Sequence, residues 1–253
     1  MELNFRTAGT GQPLIILHGL FGSGDNWVTV TKPLAESYQV FVVDQRNHGR
    51  STHDPIHSYQ TMAEDVLEFI DFHKIHKPYI IGHSMGGKTA MQLALNHSDV
   101  LEKLIVVDIS PRYYTPHHQK VVAGLQAINL PTLTSRDEAD KLMAIHLPEI
   151  GERQFLLKNL YRLDDGSFAW RMNLKDIVDQ IENIGMENKG SPFVKPTLFL
   201  KGEKSNYVLE TDQEIISRLF PDSKIQTISG SGHWVQAEKP VEFVAAVKEF
   251  FNA

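Results

Sequence analysis

Six short aliphatic runs constrain the fold more than any other feature of the chain: Leu14–Leu17, Val40–Val43, Tyr79–Ile81, Leu104–Val107, Thr197–Leu200 and Ile225–Ile228. Most are continuous apolar stretches without polar alternation. Strands with this pattern are buried on both faces, as in a parallel sheet flanked by helices. Helical patterns fill most of the intervals. Ser58-Tyr59-Gln60-Thr61 opens a run with apolar residues at Met62, Val66, Leu67 and Ile70, the spacing of one helix face. Thr89–Asn96 and Val241–Phe251 follow the same pattern. Strand–helix alternation with right-handed crossovers predicts an α/β fold with a mostly parallel, doubly wound sheet. Leu3–Thr7 adds an edge strand.

The alternation stops between Pro111 and Pro196. Here the patterns are helical (Lys120–Ile128, Arg136–Ile145, Glu152–Leu160, Leu174–Ile184), and no clear buried strand is present. A structureless loop of that length is improbable in a compact domain. The expectation is a helical cap, 111–195, inserted between strands over one end of the sheet. The core is then formed by 1–110 and 196–253. With 253 residues, 42% of them hydrophobic, the chain can bury a sizeable core.

The segment "IGHSMGGKT" (Ile81–Thr89) fits two motifs. As G-x-x-x-x-G-K-[ST] it is a phosphate-binding loop, and "LIVVD" (Leu104–Asp108) resembles the strand that would hold Mg²⁺. As G-x-S-x-G it is a nucleophile elbow: strand, sharp turn, helix, with Ser84 exposed at the helix start. His83 and Met85 are bulky for a loop whose amides must converge on an anion. The elbow also explains Gly82 and Gly86, where strand and helix backbones approach closely. In this reading Gly87 serves helix–sheet packing, and Lys88 and Thr89 are ordinary first-turn residues.

A serine nucleophile needs a base, an acid that orients it, and an oxyanion hole. "ISGSGHW" places His233 in a Gly-rich loop after the last strand, and no other of the 12 histidines lies there. "ILHGLFGSGDNW" (Ile16–Trp27) offers the oxyanion loop. The backbone N–H of Leu20, or less readily of Phe21, would pair with that of Met85, while His18 holds the loop by hydrogen bonds. For the acid, the stretch before the last strand, "TLFLKGEKSNYV", has Ser205 where Asp is usual and Glu203 beside the turn glycine. Asp108 ends the strand after the elbow, at the carboxyl edge where catalytic groups of open α/β sheets gather. Asp108 is favoured over Glu203. Asp44 and Arg46 would pin the turn before Ser51.

Composition narrows the alternatives. Cysteine is absent, which excludes disulfides, thiolate metal sites and a Cys nucleophile. The net charge of −6 gives no sign of nucleic-acid binding. No run approaches the roughly 18 apolar residues of a membrane span, and "MELNFRTAGTGQP" lacks the pattern of a secretory signal. A cytoplasmic protein acting on a small molecule is expected.

Taken together, "LHGLFGSGDNW", "VVDQRNHGRS", "IGHSMGGK", "VVDISP" and "SGSGHW" resemble the α/β-hydrolase superfamily. More narrowly, they are similar to small carboxylesterases of the YbfF type and their mitochondrial abhydrolase-domain relatives. "FLLKNL" (Phe155–Leu160) and "FAWRMNL" (Phe168–Leu174) extend the likeness into the cap. One departure is Asn47 in "RNHG", where Gly is common. The resemblance implies Ser84, Asp108 and His233 as a triad and hydrolysis of short- to medium-chain esters or thioesters with no cofactor or metal. Phe21, Phe155, Phe168, Trp170 and Met172 are candidates for the acyl pocket. The alternatives are a same-fold lyase or synthase of the menaquinone-pathway type, a P-loop nucleotide-binding protein, and a non-catalytic binding protein of this fold.

Overall fold

The computed structural model describes residues 1–115 and 117–253. Among these residues nine strands and eleven α-helices follow in chain order. The first half holds β1 (Phe5–Ala8), β2 (Gln12–Leu17), α1 (Val28–Leu34), β3 (Tyr38–Val43), α2 (Tyr59–Phe72), β4 (Tyr79–His83), α3 (Met85–Asn96) and β5 (Lys103–Val107). Then come α4 (Gln119–Gln126), α5 (Arg136–Ala144), α6 (Ile150–Leu157), β6 (Leu160–Arg162), β7 (Phe168–Trp170), α7 (Leu174–Asp179) and α8 (Ile181–Ile184). The chain closes with β8 (Thr197–Gly202), α9 (Gln213–Leu219), β9 (Ser223–Ile228), α10 (Val235–Glu238) and α11 (Pro240–Asn252).

Seven strands form one sheet in the order β1-β3-β2-β4-β5-β8-β9. All neighbours are parallel except β1, which pairs antiparallel with β3 at the edge. Successive residues of a strand point to opposite faces, and here both faces are covered. Ile15, Leu17, Ile80, Leu104, Val106 and Phe199 pack with α2, α3 and α9. Leu14, Ile16, Ile81, Ile105, Leu198 and Leu200 pack with α1 and α11. Each such side chain contributes roughly 1.5–3 kcal/mol on full burial, which explains why these runs contain so few polar residues. The outer strand β9 is less buried, with Ile225 42% exposed. This is the normal state of an edge strand with one neighbour.

Between β5 and β8 the chain builds a second apolar cluster. Leu125, Leu133, Met143, Leu156, Leu160, Phe168, Met172 and Ile177 are buried together, joined by Phe21 from the loop after β2. The segment is not wholly helical as expected. Strands β6 and β7 form a small antiparallel hairpin around a turn in which Gly166 adopts a positive φ of 89°. At three residues each, these strands are too short for a period-2 pattern to be visible. The helical run expected over Leu174–Ile184 is also divided at Gln180.

A few polar tethers bind this segment to the sheet core. The Asn159 side chain donates to the Phe21 carbonyl (2.7 Å), and the Asn173 amide donates to the Asn47 carbonyl (2.8 Å). The Tyr59 hydroxyl donates to the Ile184 carbonyl (2.7 Å). Among the described residues no helix is long and apolar enough to cross a membrane.

Candidate active site

The loops at the carboxyl ends of β2, β4, β5, β8 and β9 converge under the cap segment. Strand β4 ends at His83 and α3 begins at Met85, so Ser84 alone turns the chain, with φ 51° and ψ −116°. Non-glycine residues enter this region at a cost of about 1–3 kcal/mol and only where the surroundings enforce it. Here they do. A Cβ on Gly82 would collide with the Gly86 carbonyl, and one on Gly86 with the Leu17 carbonyl. The Ser84 amide donates to the Val107 carbonyl (3.0 Å), tying the turn to β5.

Lys88 is not an ordinary helix residue. It is fully buried, and its ammonium donates to the carbonyls of Pro111 (3.2 Å), Arg112 (2.6 Å) and Met186 (2.9 Å). No carboxylate among the described residues contacts it, and burial pushes its pKa down to about 7. A phosphate-loop lysine must reach an anion, whereas this one is enclosed by backbone carbonyls at the two ends of the cap segment. Thr89 is likewise turned inward, donating to the Met85 carbonyl (3.1 Å).

Asp108 ends β5, fully buried and also at positive φ (51°). One carboxylate oxygen accepts the Gly202 amide (2.9 Å). The other accepts His233 Nδ1–H (2.7 Å) and the Ser205 hydroxyl. Ser205, at the position where an acid is usual, thus donates to the Asp108 carboxylate. The Glu203 carboxylate is engaged elsewhere, accepting the Gly230 amide (2.7 Å). With Nδ1 directed at Asp108, Nε2 is the nitrogen of His233 left for other partners. The His233 ring stacks on Tyr207 (4.1 Å between centroids, 25° between planes). His83 donates from Nε2 to the His233 carbonyl (2.9 Å). Burial, and then the nearby His233, hold the His83 pKa well below the usual histidine range, so no second imidazolium competes with His233.

Two further neutral histidines shape the loop after β2. His18 donates from Nδ1 to the Gly19 carbonyl (2.8 Å) and accepts the Gln45 amide at Nε2 (3.0 Å). His48 donates from Nδ1 to the Arg46 carbonyl (2.9 Å) and accepts the Phe21 amide at Nε2 (3.1 Å). Burial lowers the pKa of both, and each acts as an acceptor only when neutral. Because the Phe21 amide is bonded to His48, it is not free to serve an oxyanion. The Leu20 and Met85 amides have no acceptor among the described residues. Asp44 pins the neighbouring turn, accepting the amides of Gly24 (2.7 Å) and Arg50 (3.0 Å). Arg46 instead reaches α2, where it pairs with Asp65 (2.5 Å). Asn47 has φ 65°, a conformation natural to glycine that Asn also tolerates.

Ser84 and His233 face a common cavity of about 240 Å³ whose walls include Leu20, Phe21, Phe155, Tyr207 and Trp234. Of the five candidates for the acyl pocket, Phe21 and Phe155 line this cavity. Phe168 and Met172 do not: both are buried in the cap's own core, because β7 is too short to do more than pack against β6 and the helices around it. Trp170 borders a separate groove with Leu125 and Ile128. Tyr207, Trp234, Glu152 and His118 were missed. Trp234 could have been inferred from its adjacency to His233. The other three acquire their positions only through tertiary packing.

Residues 12–240 match the family described as the alpha/beta hydrolase fold. The chain is 38% identical to "Esterase YbfF" of Escherichia coli, with both proteins covered in full. It is 41% identical to "sn-1-specific diacylglycerol lipase ABHD11" of Mus musculus, covering 94% of this chain and 80% of the relative. Among solved structures, a "Marine microorganism esterase" superposes with a TM-score of 0.96 at 44% identity, covering 98% of this chain and 99% of the other. The elbow, the sheet order and these likenesses agree: the chain belongs to the α/β-hydrolase family, on the branch that carries these esterases and lipases.

Proposed function

We propose that the protein is a serine hydrolase that cleaves small carboxylic esters through an acyl-enzyme on Ser84. The observation that carries this reading is the Asp108–His233 hydrogen bond (2.7 Å) beside a cavity that Ser84 and His233 share. His233 takes the Ser84 proton as the hydroxyl attacks the acyl carbonyl, and then protonates the departing alcohol. Asp108 fixes the ring with its proton on Nδ1 and offsets the charge of the imidazolium. The Leu20 and Met85 amides hold the tetrahedral oxyanion, helped by the positive end of α3. Water then enters, His233 acts as base again, and the acid is released. Thioesters react by the same steps. The substrate is a small molecule, and the same reading carries the cytoplasmic location expected from the sequence.

A second, narrow slot of about 20 Å³ opens from Ser84 between Leu20, Tyr59, Met85 and Ile184. It suits a short acyl chain. Burial of Lys88 among carbonyls weighs against the nucleotide-binding alternative. The test is hydrolysis of a p-nitrophenyl ester series, from acetate to dodecanoate, by wild type and Ser84→Ala. Ser84→Ala is expected to lose on the order of 10⁴–10⁶ in kcat, and wild type to prefer the shorter esters. Full activity in Ser84→Ala would overturn the mechanism.

A further inference from the structure

The two spaces that meet at Ser84 differ in chemistry. His233 borders the larger cavity and is absent from the walls of the narrow slot. In the proposed reaction His233 hands a proton to the departing oxygen, so the alcohol part of the ester must lie on the His233 side. That assigns the larger cavity to the alcohol part and the slot to the acyl part.

The alcohol side is not uniformly apolar. Glu152, on α6 of the cap, lines it together with Phe155 and Trp234. Its carboxylate has no hydrogen-bonding or ionic partner among the described residues, in contrast to Asp108 with three donors. Burial, reinforced by nearby Glu149, raises the Glu152 pKa. Tyr207, the ring that stacks on His233, lines the same cavity. His118 borders both spaces, and its buried Nδ1 also lacks a partner among the described residues. Burial, with His117 and His233 close by, pushes His118 down to about 4, so it is neutral at physiological pH. A carboxylate left unpaired in a half-enclosed apolar wall is unfavourable in the empty protein and gains when a ligand brings it a donor.

We propose that Glu152 is a specificity-determining residue that accepts a hydrogen bond from a hydroxyl on the alcohol part of the ester, and that it excludes anionic leaving groups. This rests on the assignment of Ser84 and His233 made above. The consequence is a preference order: hydroxyalkyl esters above plain alkyl esters of equal length, with coenzyme A thioesters, which carry phosphates, at the bottom.

The test compares kcat/KM for ω-hydroxyalkyl butyrates, n-alkyl butyrates of matched length and butyryl-coenzyme A, in wild type, Glu152→Leu, Glu152→Gln and Ser84→Ala. A hydrogen bond to a charged acceptor corresponds to roughly a ten- to hundredfold preference. The ratio of hydroxyalkyl to alkyl ester is expected to fall by about that factor in Glu152→Leu, and by less in Glu152→Gln, which keeps an acceptor oxygen. Circular dichroism and urea unfolding matching wild type show that the variants are folded. Butyryl-coenzyme A turnover is expected to rise in both Glu152 variants. An unchanged ratio in Glu152→Leu, with Ser84→Ala inactive, overturns the role of Glu152 alone. So does butyryl-coenzyme A as the best wild-type substrate. Activity of Ser84→Ala on the alkyl esters would instead overturn the underlying mechanism.

Discussion

The elbow under Ser84 and the cap above it hold their residues by opposite means. At the elbow, backbone packs on backbone: Gly82 and Gly86 leave no space for a Cβ, and the strained Ser84 has no alternative path. In the cap, a cluster around Leu125, Leu156 and Phe168, which Phe21 joins from the loop after β2, fixes the internal shape. Over the sheet it is held by dispersed hydrogen bonds, among them those to Phe21, Asn47, Tyr59 and His57, and by one buried lysine. Close-packed backbone tolerates no displacement, whereas a tethered layer can shift when one donor is lost. The chemistry should therefore fail abruptly on substitution, and the binding walls gradually.

The largest effect that would sharpen this contrast is at Asp108. Asp108→Asn keeps the volume but removes the charge and the preference for a proton on Nδ1 of His233. It is expected to lower kcat on p-nitrophenyl butyrate by on the order of 10³–10⁴, while Glu203→Gln leaves the rate within about twofold. Equal losses in the two variants would break the assignment. Next is Lys88→Met, which removes the donor shared by the Arg112 and Met186 carbonyls and one of the two donors to the Pro111 carbonyl. A loss of about 3 kcal/mol in urea unfolding is expected.

The same variant has a signature in pH. The Lys88 pKa is about 7 in the folded protein against an ordinary 10.5. Between those values the unfolded chain binds more protons at this site, so the contribution of Lys88 makes stability rise with pH across that window and fall as pH drops through about 7. Lys88→Met should remove that slope. Identical pH dependence in the two proteins would refute the account.

The smallest expected effect is that of Tyr59→Phe, which removes one tether at the end of the cap. It should cost about 1 kcal/mol and raise KM for short esters a few-fold with kcat nearly unchanged. A loss in kcat comparable to that of Asp108→Asn would mean that cap and elbow are not separable.

The same contrast explains what was legible in the sequence. The fold was readable because strands covered on both faces leave an uninterrupted apolar signature, as in Leu14–Leu17 and Leu104–Val107. The proposed Ser84, His233 and Asp108 were locatable because each needs a particular local backbone: a strand–helix turn, a Gly-rich loop, a strand end. The cap yielded its helices but not its hairpin, whose strands are too short to show a period. Pocket walls were the least readable part. Phe155 and Phe168 are both aromatic cap residues, yet only Phe155 lines the cavity, and the difference arises from how α6 and β7 are oriented by packing. Lys88 was misread because a lysine in a first turn carries no mark of burial until the cap closes over it.

Ser205 has one further consequence. With the charge moved to the end of β5, the loop after β8 contributes only a hydroxyl to that carboxylate. That loop is relieved of holding a buried anion. Two residues on, it presents Tyr207 flat against His233 instead. The Tyr207 amide in turn donates to the Ser205 hydroxyl (3.2 Å), so the ring that supports His233 and the carboxylate that orients it are joined through one loop, and a change in that loop is felt by both.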